Sequence, residues 1–476
     1  MLDEEVIVKG AKNGSERLLI VNVLLMLAVP VLMLGGNTEI ARGIFIAMGI
    51  LAPLNVVIYK RTWIDADEST LPMYFLSLTP YIASLVIAAM GTPLLASDEL
   101  ASSEIWKFSG LGSAFFASAN DSTMSAITSE LATIAAVACA LSIFFITDSR
   151  YIIRRIFFFA SAGAAVLALL GFVYKGLEAL PRFILPSLGE NSFATFNDAS
   201  QWSAFAILWM GAALVIGAYT SQRFRLATFL YSLKFLSMLA AFVLLLSVLF
   251  CGTPLERTLA LFLTSAGYAI ICIDTIPTKI NLERHWTSKY VQSKHRKLRL
   301  AIPAATYTAV SILTLASSVW VGLSSWNNPN ERLIVDEDAP FCTLAERKAV
   351  YTDALTLLKD EPPTGWGTGS FPSLFAFKQG ADLRCAPYPS PYSDLLQKLI
   401  ENGIVGLVLC ALTPVVFFLR WLWKHDFSKS GALMFMTLAG VLGLGVFDYP
   451  FQSIAVLASF WIILMSAFRW DDSQVR

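Results

Sequence analysis

The sequence predicts an all-α integral membrane protein with about twelve transmembrane helices and one long extramembrane loop. Its composition is the first indication, because 56% of its 476 residues are hydrophobic, only 15% are charged, and the mean hydropathy is +0.63. Proteins in general contain about 25% charged residues. The second indication is a series of apolar stretches, which is interrupted by a polar segment between about Asn327 and Ser393.

Each expected transmembrane helix corresponds to an apolar stretch of about 17–25 residues. The stretches are centred on residues 18–36, 40–59, 71–91, 128–147, 156–175, 202–220, 228–250, 257–274, 300–322, 402–423, 431–448 and 452–469. We expect the tenth to begin as a helix in the long loop and to enter the membrane near Ile404. The chain then divides into spans 1–9 (1–322), the loop segment (323–401), and spans 10–12 with a tail (402–476).

The distribution of lysine and arginine predicts that both termini are cytoplasmic, because basic residues lie mainly in the even-numbered connections. The eighth connection is the most basic, and its segment 279–299 is expected to contact anionic lipid headgroups. The N-terminal segment lacks the pattern of a cleaved signal peptide. The long loop is then on the non-cytoplasmic side of the membrane. Separately, the net charge of zero does not favour nucleic acid as a partner.

Two cysteines, Cys342 and Cys385, lie in the long loop, whereas the other four lie in or at the ends of spans and resemble small apolar residues. In an oxidising compartment the loop pair can form a disulfide. Such a bridge contributes up to about 4 kcal/mol in the chain-entropy description. Two free thiols are the alternative.

The first expected loop helix begins at Thr343-Leu-Ala-Glu346, which has the pattern of a capping box. It runs to about Lys359 and stops before Pro362. Arg347 lies in its first turn, where a cation is unfavourable against the helix dipole. An arginine that lowers helix stability at this position is consistent with a role in binding an anion. The alternative is an arginine on the solvated surface.

The second expected loop helix has Ser390 as its N-cap and Pro391 as its first residue. Asp394, Gln397 and Glu401 then share one face. The Asn402-Gly403 pair marks a break where this helix meets the tenth span. Simple alternatives are a dipole-complementing role for Asp394 and pairing of Glu401 with Lys398.

Backbone N–H groups in the loop are candidate phosphate ligands. The N-terminus of the second loop helix offers such groups. The glycine-rich turn Gly365–Gly369 offers more as a backbone nest, and an ordinary turn is the alternative. Four aromatic residues lie nearby: Trp366, Phe371, Phe375 and Phe377. They are expected to form a small core of the loop or an interfacial belt, and a platform for a polyprenyl tail or sugar faces is the alternative.

These motifs together resemble the O-antigen ligase and polymerase superfamily of bacterial inner-membrane proteins. The similar order is an arginine-led helix at Ala345-Glu-Arg347, then Pro362-x-x-Gly-x-Gly-x-Gly-Ser-Phe371, then Ser393-Asp-x-Leu-Gln-x-x-x-Glu-x-Gly-Ile-x-Gly-Leu407. The stretch Ser192–Phe205 looks like the family's G-T-F-x-N-x-N loop, with Ser200 where the second Asn would stand. Ser221-Gln-Arg223 stands where the family often has a Ser-Arg pair, so the resemblance covers spans 5 to 10.

The resemblance implies transfer of a glycan from a polyprenyl-pyrophosphate carrier to a sugar hydroxyl at the periplasmic face. The acceptor is lipid A-core in the ligases and another lipid-linked repeat unit in the polymerases. No cofactor, neither metal nor nucleotide, is implied, because the leaving group is already a lipid pyrophosphate. A chain-length regulator and a flippase are implied as partners.

One departure from the family concerns the histidine that the ligases carry before the Ser/Asn-Asp pair, which is Tyr392 in this chain. The chain's histidines, His285, His295 and His425, all fall in segments expected to be cytoplasmic. This departure favours a polymerase over a ligase.

The resemblance and side-chain chemistry together suggest roles for individual residues. Guanidinium groups bind phosphate bidentately, so arginines are expected to stabilise the pyrophosphate. An acceptor hydroxyl needs a base within hydrogen-bond reach. The expected catalytic residues are Arg347, Asp394 (the base), Tyr392 and Glu401. The expected substrate-binding residues are Arg384, Arg182, Gly365, Gly367, Ser393 and Gln397, with Asp448 and Tyr449 completing the site from below.

Two other classes of function are compatible with a polytopic chain. A transporter or flippase of lipid-linked glycan needs polar or charged residues inside the bundle. Here the middle of each span is nearly free of ionisable residues, which favours chemistry in the loop over conduction. An inactive scaffold of the polysaccharide machine is the third class.

Overall fold

The computed structural model describes residues 2–36, 38–62, 69–90, 121–147, 149–176, 192–219, 232–275, 294–327, 344–360, 363–380, 383, 388, 390–423 and 428–472. Within these ranges the chain is helical apart from turns and one isolated antiparallel bridge between Phe193 and Phe196. Twelve of the described helical stretches are long and apolar enough to cross a membrane. The all-α class and the multi-pass character predicted from the sequence are therefore confirmed.

The described α-helices are numbered in chain order. Those before the long loop are α1 (Leu2–Leu32), α2 (Glu39–Gly49), α3 (Leu51–Thr62), α4 (Thr70–Met90), α5 (Asp121–Ile146), α6 (Arg150–Gly176), α7 (Ala199–Tyr219), α8 (Leu233–Cys251), α9 (Pro254–Thr275) and α10 (Lys294–Asn327). Those of the loop and beyond are α11 (Leu344–Leu357), α12 (Phe371–Lys378), α13 (Asp394–Trp423), α14 (Lys429–Phe447) and α15 (Ile454–Asp472). Helices α2 and α3 together form the second candidate span, Ile40–Lys60.

Helices α7 and α15 form the centre of the bundle, because 94% and 89% of their apolar windows are buried, against 11% for α10. Buried polar side chains join these central helices to each other and to their neighbours. The indole of Trp209 donates to Ser459 Oγ at 3.0 Å, and Trp202 donates to Ser247 Oγ at 3.2 Å. Such bonds satisfy polar groups that have no water to bind inside a bilayer.

The loop segment lies over one end of the bundle, which we call the loop end. Helices α11 and α12 and the start of α13 enclose a small core of their own. The rings of Phe371 and Phe375 stack at 5.1 Å, and Tyr388 meets Phe375 edge-on at 5.4 Å. These loop aromatics pack as a core, the first of the expectations for them, and the side chain of Phe377 lies outside the described residues.

The start of the second loop helix differs from the sequence-based prediction. Helix α13 begins at Asp394, and Ser393 rather than Ser390 is its cap, with Ser393 Oγ accepting from Leu396 N at 3.2 Å. Tyr392 has a φ of 54°, which no α-helix can include, so the helix cannot start at Pro391. The break predicted at Asn402-Gly403 is present as a kink at Gly403, where φ is 63°.

Candidate functional site

Arg347 lies on α11 above the end of α14. Its Nη1 donates to Phe447 O at 3.2 Å, and its Cζ lies 5.4 Å from the centre of the Tyr392 ring. Tyr351, one turn later, places its hydroxyl 2.9 Å from Tyr392 O and 3.1 Å from Phe447 O. The half-buried guanidinium forms no ion pair with any described carboxylate. The Tyr392 ring and the Phe447 carbonyl therefore hold the Arg347 guanidinium, whose other N–H groups can donate to a ligand.

A serine hydroxyl joins two carboxyl groups beside this arginine. Ser200, in the first turn of α7, places Oγ 2.6 Å from Glu256 Oε1 and 2.5 Å from Asp448 Oδ2. Glu256 lies in the first turn of α9, and Asp448 follows α14. One hydroxyl has one proton to donate, so both bonds form only if a carboxyl group supplies another. The geometry therefore implies a proton shared within the trio.

Asp198 and Tyr449 extend this trio toward the loop. Asp198 Oδ1 accepts from Ser200 N at 2.9 Å, and its Oδ2 accepts from the Tyr449 hydroxyl. The Tyr449 ring meets Tyr392 edge-on at 5.1 Å, directly below Arg347. We call Asp198, Ser200, Glu256, Asp448 and Tyr449 the carboxyl cluster. It links the segment before α7 to the long loop through Tyr449.

Burial dominates the electrostatics of the described groups outside the spans. It raises the pKa of the Asp448 carboxyl, and the nearby guanidinium of Arg347 opposes the rise while Asp198 adds to it. Burial also raises the pKa of Tyr392 and of Tyr449. Both phenols are therefore neutral at physiological pH, and Asp448 holds its proton to a higher pH than an exposed aspartate does.

The raised pKa of Asp448 predicts a pH dependence of stability. A carboxyl that binds its proton more tightly when folded contributes most below its ordinary pKa of 3.8, and this contribution is lost as pH rises toward the folded value. Wild type should therefore lose stability relative to Asp448→Asn across that window, by about 1.4 kcal/mol per unit of raised pKa. Unfolding curves in detergent micelles measure the difference, with Asp353→Asn as the control. Parallel curves for wild type and Asp448→Asn would contradict it.

The glycine-rich turn is docked on α13 by its backbone. Trp366 N donates to Ile400 O at 2.9 Å, Gly367 N donates to Glu401 O at 2.8 Å, and Val405 N donates to Pro363 O at 3.1 Å. Gly365 has a φ of 78°, and a Cβ there would lie 2.4 Å from Glu401 O. Only glycine permits this approach.

The Glu401 side chain occupies the N–H groups that were expected to hold a phosphate. Its carboxylate accepts from the backbone N–H groups of Gly369 and Phe371 and, at 3.1 Å, from Gln397 Nε2. Glu401 is 5% exposed. In the described structure the N–H groups of the glycine-rich turn thus bind the Glu401 carboxylate, and Gly367 N donates to the Glu401 backbone carbonyl.

Asp394 and Gln397 connect α13 to the link between α14 and α15. Asp394 Oδ2 accepts from Phe451 N at 2.8 Å, and Asp394 N donates to Asp448 O at 3.1 Å. Gln397 Oε1 accepts from Gln452 Nε2 at 2.9 Å. The face predicted for Asp394, Gln397 and Glu401 is present, and each of the three side chains holds a neighbouring segment.

Lys398 forms a buried ion pair that the sequence did not indicate. Its Nζ lies 2.6 Å from Glu130 Oε1, in a span, so the ion pair of Lys398 is with Glu130 and not with Glu401. Glu130 Oε1 also accepts from Asn402 Nδ2 at 3.2 Å and from Thr368 at 3.4 Å. The glycine-rich turn and α13 are thereby tied to α5. The available signal was a carboxylate inside an apolar span, which is costly without a partner.

The structure brings Arg347, Tyr392, Asp448 and Tyr449 together and places Asp394 at their edge. Asp198 and Glu256 were missed, although Asp198 lies in the loop motif and Glu256 resembles an ordinary first-turn acid. Arg182, Arg384 and the pair Cys342 and Cys385 lie outside the described residues. No family model matches the sequence, and no curated protein matches it.

Proposed function

We propose that this protein is a membrane-embedded glycosyltransferase that passes a glycan from a polyprenyl-pyrophosphate carrier to a sugar hydroxyl. The main support is Arg347, a half-buried guanidinium without a described ionic partner that lies beside the carboxyl cluster. Guanidinium binds pyrophosphate oxygens bidentately. Its position at the end of a helix bundle suits a donor whose lipid remains in the bilayer. The proposal includes a bacterial inner membrane, a periplasmic loop end, and a polymerase in preference to a ligase.

In the proposed reaction the acceptor hydroxyl oxygen bonds to the anomeric carbon of the donor sugar. The bond from that carbon to the pyrophosphate oxygen breaks, and its electron pair stays on the phosphate. Arg347 stabilises the charge that develops there. The hydroxyl proton passes to a carboxylate within hydrogen-bond reach.

The proton acceptor is better sought in the carboxyl cluster than at Asp394. Asp394 Oδ2 accepts from Phe451 N–H in the link between α14 and α15. Asp448 directly follows the carbonyl that accepts from Arg347, and Ser200 connects its carboxyl to Glu256, so the cluster can take up a proton and share it. Tyr392 lies between Arg347 and Tyr449, and we assign it a role in orienting the reactants by contact.

Loss of the Arg347 guanidinium is the test of this function. Purified protein in nanodiscs, given the host's polyprenyl-pyrophosphate oligosaccharide, should form longer lipid-linked chains, resolved by gel and by mass. Arg347→Ala should lower the rate by about 10²–10³-fold, as loss of one transition-state contact does. The exposed neighbour Lys348 provides the control, since Lys348→Ala removes the same charge from α11.

The result for wild type decides the class of function. If Arg347→Ala forms the series of longer lipid-linked chains at the wild-type rate, the proposed role of Arg347 is wrong. No product from wild type with repeat-unit donor or with lipid A-core acceptor would overturn the glycosyltransferase.

A flippase of lipid-linked glycan is the second candidate, because Glu130 and Glu256 are buried carboxyl groups inside spans. Both lie near the loop end, where Glu130 pairs with Lys398 and Glu256 contacts Ser200. This one-sided placement favours chemistry at a surface. Movement of a fluorescent lipid-linked glycan across proteoliposomes, without a change in its mass, would favour the flippase.

A further inference from the structure

The link between α14 and α15 separates two polar regions of the loop end. Its first residues, Asp448 and Tyr449, belong to the carboxyl cluster. Its later residues, Phe451 and Gln452, line a cavity of about 380 Å³. Arg42, from the start of α2, lies on the wall of this cavity together with Gln397 and Glu401 of α13.

The cavity wall presents both hydrogen-bond donors and acceptors. Gln452 Nε2 donates to Gln397 Oε1, and Gln397 Nε2 donates to Glu401 Oε1, so these three side chains form a chain. In the part of the chain that the structure describes, Gln452 Oε1 and the Arg42 guanidinium have no partner. Arg42 forms no ion pair with Glu401, although both lie on the wall. A guanidinium and an amide oxygen are thus left to bind a ligand.

The remaining wall includes the apolar side chains of Phe451, Ile454 and Leu457 beside the hydroxyl groups of Ser129 and Thr368. Sugar rings combine hydroxyl groups, which both donate and accept, with C–H faces that pack on apolar side chains. Ligand pockets span about 300–1,000 Å³, so this cavity is at the small end and fits one or two rings. A polyprenyl tail would not use the arginine and the carboxamides.

We infer that this cavity binds a sugar ring of the acceptor glycan. The inference rests on the proposed function, because Arg347 then engages the donor pyrophosphate on the far side of the link, leaving this cavity for the other reactant. Gln452 Oε1 accepts from one sugar hydroxyl and Arg42 donates to another. The short link places the two reactants side by side, with Asp448 at one end and Gln452 at the other.

The test measures binding apart from transfer. Saturation-transfer NMR on the full chain in nanodiscs uses three probes: methyl α-D-glucopyranoside, methyl N-acetyl-β-D-glucosaminide and methyl β-D-glucuronide. At least one should give signals with wild type. Ser129→Trp fills the cavity from an exposed position of its wall and should lower the signal at least tenfold, as should Arg42→Gln. Arg155→Gln, on α6, removes the same charge elsewhere and should change nothing.

Undiminished signals in Ser129→Trp and Arg42→Gln, or none from any probe with wild type, would overturn the inference. The transfer assay separates this failure from failure of the proposed function. If transfer proceeds and both variants keep the wild-type KM for acceptor, the proposed glycosyltransferase function is retained and the proposed acceptor site is wrong. If the probes bind as expected and no transfer occurs, the sugar site stands and the glycosyltransferase is wrong.

Discussion

Replacing Lys398 with methionine should destabilise the protein by about 3 kcal/mol, because it leaves the Glu130 carboxylate without its charged partner. Breaking a buried ion pair costs about 3–5 kcal/mol. The lower end applies because the Lys398 side chain keeps 30% of its exposure, against 3% for Glu130. Equilibrium unfolding of both proteins in detergent micelles measures the difference.

A double variant distinguishes loss of the pair from loss of the lysine alone. Glu130→Gln with Lys398→Met replaces both charges and should recover most of the lost stability, since no uncompensated charge remains. Lys348→Met, at an exposed position of α11, should stay within about 0.5 kcal/mol of wild type. A Lys398→Met variant as stable as wild type would show that the ion pair does not hold the loop to α5.

Gly403→Ala should be the other strongly destabilising change, by about 2–5 kcal/mol. A Cβ at this position would lie 2.2 Å from Pro363 O and 2.4 Å from Gly365 N, and the residue has a φ of 63°. The positive φ costs about 1 kcal/mol or more for a residue with a Cβ, and the overlap adds about 1–3 kcal/mol. Both contacting atoms belong to backbone, so relief requires the glycine-rich turn to leave α13.

Limited proteolysis reports this separation directly, because an undocked turn is cleaved faster than a docked one. Gly443→Ala is the matched control, since a Cβ on that helical glycine meets nothing within 4 Å. It should leave stability unchanged or raise it by about 0.5–1 kcal/mol. Equal cleavage rates for Gly403→Ala and Gly443→Ala would contradict the docking of the turn.

The bundle could be predicted from the sequence because each span satisfies its own backbone and must match the bilayer thickness. Local chemistry also located the kink of α13 at Gly403. It misplaced the start of that helix, where Tyr392 has a positive φ and its carbonyl accepts from the hydroxyl of Tyr351, which lies 41 residues earlier. Helix caps depend on such contacts as much as on cap preference.

The candidate site was only partly predictable for a related reason. Arg347 and Tyr392 were found because they lie in one loop with recognisable motifs. The contact of Ser200 with Asp448 joins residues 248 apart, and that of Lys398 with Glu130 joins residues 268 apart. Periodicity and composition carry no information about which distant acid meets which partner, so Glu130, Glu256 and Asp198 emerged only from the packing.

The docking of the glycine-rich turn makes the loop a structural part of the tenth span. At the kink, Val405 N donates to Pro363 O, and Glu401 O accepts from Gly367 N. The turn therefore supplies backbone hydrogen-bond partners to α13 at its kink. The glycine-rich turn cannot move away from α13 without leaving backbone groups of that helix without hydrogen-bond partners. For the proposed glycosyl transfer, this means that donor and acceptor enter and leave between the helices at the edges of the docked turn.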